Sequence, residues 1–131
     1  MTVSASGQKT VLVIEDDPWT RTITTALLAG EGFAVVEAKN GEEGLRLTRQ
    51  HLPDAVLLDL ALPTKSGLEV LREVKADPDT SHIPVIVVSA YGSLMNDEDA
   101  QQASGVIQKP FDYDELVGQV ERATDRALLP A

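Results

Sequence analysis

Glu15, Asp16 and Asp17 stand together directly after the apolar run Val11-Leu12-Val13-Ile14. Carboxylates crowded at the end of a buried segment repel one another unless a cation sits among them. A fourth acid, Asp59, lies near the end of another apolar run, "AVLLDL" at 55 to 60. No histidine or cysteine stands nearby, and oxygen-only ligands suit a hard divalent ion such as Mg2+. Two further runs end in complementary chemistry: Ser89 follows "VIVV", and Lys109-Pro110 follows "GVIQ". A hydroxyl and an ammonium beside a metal-bound carboxylate form a cradle for a phosphoryl group. Taken singly, each residue has a plainer role. Asp17 before Pro18 is a helix cap, Asp59 a solvated carboxylate, Ser89 a loop hydroxyl and Lys109 a surface lysine. Coincidence carries the site, because four strands of a five-strand pattern each end in one of its parts.

Those parts need elements to position them. The runs "VLVI" (11 to 14), "FAVVEA" (33 to 38), "AVLLDL" (55 to 60), "VIVV" (85 to 88) and "GVIQ" (105 to 108) are rich in β-branched residues, with helix-length segments between them. This spacing predicts parallel strands buried on both faces. Asp17 with Pro18 marks one helix start. Asn40 with Glu43, Ser66 with Glu69, and Asp112 with Glu115 mark others, each a cap followed three residues later by an acid. The result is one α/β domain of five β-α units. In such a sheet ligands bind at the C-terminal edge of the strands, beside the point where strand order reverses. If the first and third strands are neighbours, the four acids converge there. His51 and His82 lack ligand-like spacing and read as surface residues, and the acidic cluster "NDEDA" (96 to 100) reads as a solvated helix face.

Composition narrows the function. The chain has 131 residues, a length that suits a single core, and 43% are hydrophobic. No run approaches the roughly 18 apolar residues of a membrane span, and "MTVSASGQKT" does not read as a secretory signal. The absence of cysteine excludes disulfides, zinc-thiolate sites and cysteine nucleophiles. A cytoplasmic location fits. The net charge of -10 argues against nucleic acid or an anionic membrane as main partner. Proteins or a cation are the expected partners.

With these motifs in order, the sequence resembles the receiver domain of two-component response regulators. "VLVIEDDP", "DAVLLDLALPTKSGLEVL", "IPVIVVSA" and "QKPFDYDEL" follow one another at near-standard spacing over about residues 9 to 127. The resemblance implies a doubly wound, flavodoxin-like parallel sheet of order 2-1-3-4-5. The receiver would occupy 10-127, with a flexible N-terminus at 1-9 and a short tail at 128-131. Asp59 matches the phosphoacceptor. Glu15 and Asp16 match the acidic pair that binds Mg2+, with Mn2+ an alternative, and Ala61 matches the residue whose backbone carbonyl completes the metal site. Ser89 matches the switch hydroxyl, Lys109 the phosphate-contacting lysine, and Lys109-Pro110 the family's cis peptide. Ala61 and Tyr91 match the positions that border the path of the hydrolytic water and modulate dephosphorylation.

The implied activity is transfer of a phosphoryl group from a phosphohistidine on a histidine kinase or histidine phosphotransfer protein to Asp59. The chain would assist its own phosphorylation and dephosphorylation without being an enzyme for a separate substrate. Its message would pass through altered protein binding on the face made by the fourth helix, fifth strand and fifth helix, with the chain a monomer or weak dimer. Two departures bear on that message. Val106 stands where the family's switch aromatic usually lies, and the Ser89 to Lys109 segment is shorter than usual, so the fourth helix is expected to be short or labile. Met1 and the terminal "RALLPA" suggest a stand-alone regulator. A phosphorelay intermediate that passes the group onward would share every site residue. A flavodoxin-like enzyme or flavin carrier fits less well, because "EDDP" would repel its phosphate. A haloacid-dehalogenase-type phosphatase would need a second aspartate two places after the first, where "DLALP" has alanine.

Overall fold

Alternation within each strand sends successive side chains to opposite faces of the sheet, and both faces are covered. The computed structural model describes residues 8–90 and 95–125. Strands β1 (Thr10–Ile14), β2 (Ala34–Ala38), β3 (Ala55–Asp59), β4 (Val85–Ser89) and β5 (Gly105–Gln108) alternate with helices α1 (Pro18–Gly30), α2 (Gly41–His51), α3 (Gly67–Ala76), α4 (Asp97–Gln102) and α5 (Tyr113–Thr124). The strands form one parallel sheet of order β2-β1-β3-β4-β5. The chain therefore reverses direction across the sheet between β1 and β3.

One core layer takes Leu12, Ile14, Val56, Leu58, Val85 and Val87 from the sheet and packs them on Leu45 of α2 and on Val70, Leu71 and Val74 of α3. The other takes Val11, Val13, Leu57, Ile86, Val88 and Ile107 and packs them on Leu28 of α1 and on Leu116 and Val120 of α5. Burying each of these side chains contributes about 1.5–3 kcal/mol. β1, β3 and β4 are buried on both faces as expected apart from Thr10, but β2 and β5 are not. As edge strands they have a neighbour on one side only, and Val106 of β5 remains 39% exposed.

Caps fix where each helix begins. Asp17 accepts from the Thr20 amide and Pro18 follows it, as anticipated. Ser66 and Glu69 form a reciprocal capping box. Asn40 accepts from the Glu43 amide, while the Glu43 carboxylate takes the Lys39 amide instead of that of Asn40. Asp112 bonds to the Asp114 amide, one residue short of the expected Glu115. Asn96 caps α4 through the Asp99 amide at 2.8 Å.

Candidate functional site

Strand register brings the C-terminal ends together. Ile14 pairs with Leu58, Asp59 with Val88, and Ser89 with Gln108. Glu15 therefore leaves β1 beside Asp59, and Ser89 ends the next strand. Lys109, the residue after β5, reaches back across the sheet edge. Its Nζ donates to Glu15 Oε1 and to Asp59 Oδ2, both at 3.0 Å, and its backbone amide donates to the Ser89 carbonyl at 2.8 Å. On the far side of Asp59, the Ala61 amide donates to Asp59 Oδ1 at 2.9 Å. Both oxygens of Asp59 are thus held in place. The α3 terminus closes tightly on this loop, with the Gly67 amide donating to the Leu60 carbonyl at 3.1 Å.

Glu15 and Asp59 are buried, whereas Asp16 is exposed at the mouth. One carboxylate oxygen from each of the three lies within 4.8 Å of the others. Burial raises the Glu15 pKa from 4.5 to about 7, against the hydrogen bonds from the Asp17 amide and Lys109 and with the help of neighbouring Asp59. Burial also works to lower the Lys109 pKa. Its hydrogen bonds to Asp59 and Glu15 outweigh that and hold it above the ordinary value. One ammonium faces three carboxyl groups, so with all of them ionised the cluster keeps negative charge and can accept a cation. The donor set is oxygen only, which fits a hard divalent ion.

Asp17, the third acid of the run, plays a different part. Hydrogen bonds from the Thr20 hydroxyl at 2.7 Å and the Thr20 amide at 2.8 Å hold its carboxyl below the usual range. It is the cap, while Glu15 and Asp16 are the pair that faces Asp59. Ser89 is buried at the rim, Ala61 is exposed at the mouth, and the Lys109-Pro110 peptide is cis, as anticipated. Tyr91 lies outside the described residues, as do the first seven and last six residues, which take in most of the expected tails. His51 and His82 are on the surface.

The cluster 96 to 100 requires a correction. Asp97 and Glu98 are exposed, but Asp99 is only 3% exposed and is the buried residue of α4. Arg72 of α3 grips it with two hydrogen bonds of 3.0 and 2.7 Å, so this acid anchors the helix instead of solvating it. Arg21 was also missed. Its Nη1 donates to the Glu15 carbonyl at 2.8 Å and lies 3.4 Å from that of Asp16. A basic residue one turn into the helix that follows an acidic run was the available signal.

The same arrangement has relatives. The chain matches the response regulator receiver domain model over residues 11–121. It is 33% identical to the polar-differentiation response regulator DivK of Brucella anthropi over 115 residues, covering 86% of this chain and 94% of that protein. A putative response regulator from Chloroflexus aurantiacus superimposes with a TM-score of 0.83 at 30% identity, covering 91% of this chain and 99% of that one. The response regulator TrrA of Thermotoga maritima, solved in complex with Mg2+-BeF, gives 0.82 at 32% identity, covering 88% and 99%. Sheet order, the acids at the β1 and β3 ends and these matches agree: the chain belongs to the response regulator receiver domain family of two-component signalling.

Proposed function

We propose that Asp59 accepts a phosphoryl group from a phosphohistidine of a histidine kinase or phosphotransfer protein. The bridge that Lys109 makes between Glu15 and Asp59 is the observation that carries this reading. It places a fixed cation beside a buried carboxylate at the sheet's C-terminal edge, where arriving phosphoryl oxygens need neutralising. Asp16 and Asp59, with the Ala61 carbonyl and support from Glu15, would hold Mg2+, whose positive charge stabilises the phosphoryl oxygens when bound. An Asp59 carboxylate oxygen attacks phosphorus in line. The new O–P bond forms as the P–N bond breaks, and the released electron pair stays on the imidazole nitrogen. Lys109 exchanges its Asp59 contact for a phosphoryl oxygen while Glu15 keeps the ammonium in place. The Ala61 amide, already donating to Asp59, keeps the carboxylate oriented.

The donor docks beside the site. A cleft of about 450 Å3 next to Lys109 is lined by Ile23 of α1 together with Pro110, Phe111 and Tyr113, and Trp19, 72% exposed, projects from the same helix. Its apolar lining suits a helical partner that carries the phosphohistidine. Output passes through the α4-β5-α5 face. Ser89 closes on the phosphoryl group and draws the start of the β4-α4 connection inward, which changes how α4 sits. With valine at 106, no aromatic there can report the change, so α4 itself carries it.

Acetyl phosphate labelling followed by intact-mass measurement tests the proposal. The protein should gain one phosphoryl group in Mg2+ and none in EDTA. A stable adduct on Asp59→Asn would sink the assignment of the acceptor. Mixing with phosphorylated kinases and phosphotransfer proteins, and following the label, then identifies the donor.

A further inference from the structure

Arg21 has no hydrogen bond to Asp59 or to the carboxylates of the acidic pair, yet it bonds the backbone of the segment that presents them. It lies in the first turns of α1, where its own amide closes a hydrogen bond on the Asp17 carbonyl at 2.9 Å. The guanidinium folds back over the β1-α1 connection to the Glu15 and Asp16 carbonyls. Its Nε lies 3.6 Å from Glu37 of β2, a residue in register with Val13 of β1. One side chain, 19% exposed, thereby ties the acidic turn to both the helix after it and the edge strand beside it.

We infer that Arg21 is a positioning residue for the divalent-ion site, holding the Glu15 and Asp16 backbone so that their carboxylates face Asp59. This rests on the reading of Glu15, Asp16 and Asp59 as metal ligands. A guanidinium this close to the acidic turn repels an arriving cation, so if its charge were all that mattered, removing it would tighten metal binding. If it works by gripping two carbonyls, removing it frees the turn to move its carboxylates away from one another, and binding weakens. Groups that orient metal ligands typically matter by about 10- to 100-fold in affinity, enough to outweigh the relief of a partly screened repulsion.

Mg2+ titration of the unphosphorylated protein measures this directly, by calorimetry or by fluorescence of Trp19, the single tryptophan, three residues after Asp16. Arg21→Met keeps the length and apolar stem but removes the charge and the donors, and about tenfold weaker binding is expected. Arg21→Lys, which can still reach a carbonyl, should recover part of the loss. Glu37→Gln, which removes the ion-pair partner but leaves the carbonyl contacts, should bind within about twofold of the parent. Arg21→Gln is a second neutral variant in case Arg21→Met does not fold. Binding by the neutral variants that equals or exceeds the parent's, with Asp16→Asn still abolishing it, overturns the role of Arg21 alone. A parent that shows no saturable Mg2+ binding overturns both this inference and the metal site beneath it.

Discussion

Gly67 sits where α3 meets the end of β3, and replacing it with alanine should destabilise the protein and slow phosphorylation. A Cβ at this position would lie 2.4 Å from the Asp59 carbonyl oxygen and 2.5 Å from Leu60 Cα. Carbon and oxygen rest comfortably at about 3.3 Å, so the helix start must retreat by roughly 1 Å. Both obstacles are backbone atoms and cannot rotate away. The retreat stretches the Gly67 amide bond to the Leu60 carbonyl, worth about 1 kcal/mol, and overpacking adds about 1–3 kcal/mol. Alanine's better helix propensity returns at most about 1 kcal/mol, leaving a net loss of about 1–3 kcal/mol. In urea the midpoint should fall by about 1 M. Gly30, at the end of α1, is the control, because a Cβ there meets nothing within 4 Å. Gly30→Ala should raise stability by up to about 1 kcal/mol. If Gly67→Ala matched or exceeded the parent's midpoint, or the two variants shifted together, the close-approach argument would be wrong.

Lys109→Met leaves Glu15 and Asp59 facing each other without their bridging ammonium, so in EDTA near pH 8 it should lose about 2 kcal/mol. Added Mg2+ should restore more stability to this variant than to the parent, and equal gains would contradict the bridge. For Glu15, burial lifts the pKa from 4.5 to about 7 in the folded, metal-free protein. The folded state keeps a proton between those pH values that the unfolded chain has released, so this group's contribution is full below the lower value and lost as pH rises through the upper one. The stability difference between parent and Glu15→Gln in EDTA should fall with pH across that window, and a flat difference refutes the burial argument. Removing the grip of Arg72 on Asp99, by Arg72→Met, should speed hydrogen exchange across 97 to 102 without changing it in α5. Unchanged exchange would mean that α4 is held by other contacts.

β1, β3 and β4 were readable because residues buried on both faces leave an uninterrupted apolar run, and the half-exposed edge strands β2 and β5 by their shorter valine and isoleucine runs; all five match observed strands to within a residue at either end. The site was readable for a related reason. A parallel sheet sends every strand's C-terminal end to one edge, so Glu15, Asp59, Ser89 and Lys109 could be assigned to one place before any distance was known. Strand order was not written in periodicity; it came with the receiver resemblance, and the sheet bears it out.

What escaped notice depends on helix phase and loop length, which no local pattern encodes. Arg72 and Asp99 are 27 residues apart, and whether they meet is decided by how α3 rotates on the sheet and how the chain after β4 returns. In the cluster 96 to 100, composition averages three acids into one solvated face and hides the different environment of Asp99. Asn96 followed by Asp99 repeats the cap-and-acid spacing that marked other helix starts. Reading it that way would have placed the helix, though not the partner of its third residue. The cap uses the Asp99 amide and Arg72 uses its carboxylate, so one residue both starts α4 and attaches it to α3. A helix of six residues can bury little apolar surface, and its placement rests on this charged contact together with Met95 and Ala103, which pack on the core at either end. On the proposed reading of Ser89, a shift at the site would work against this ion pair and the modest packing of Met95 and Ala103.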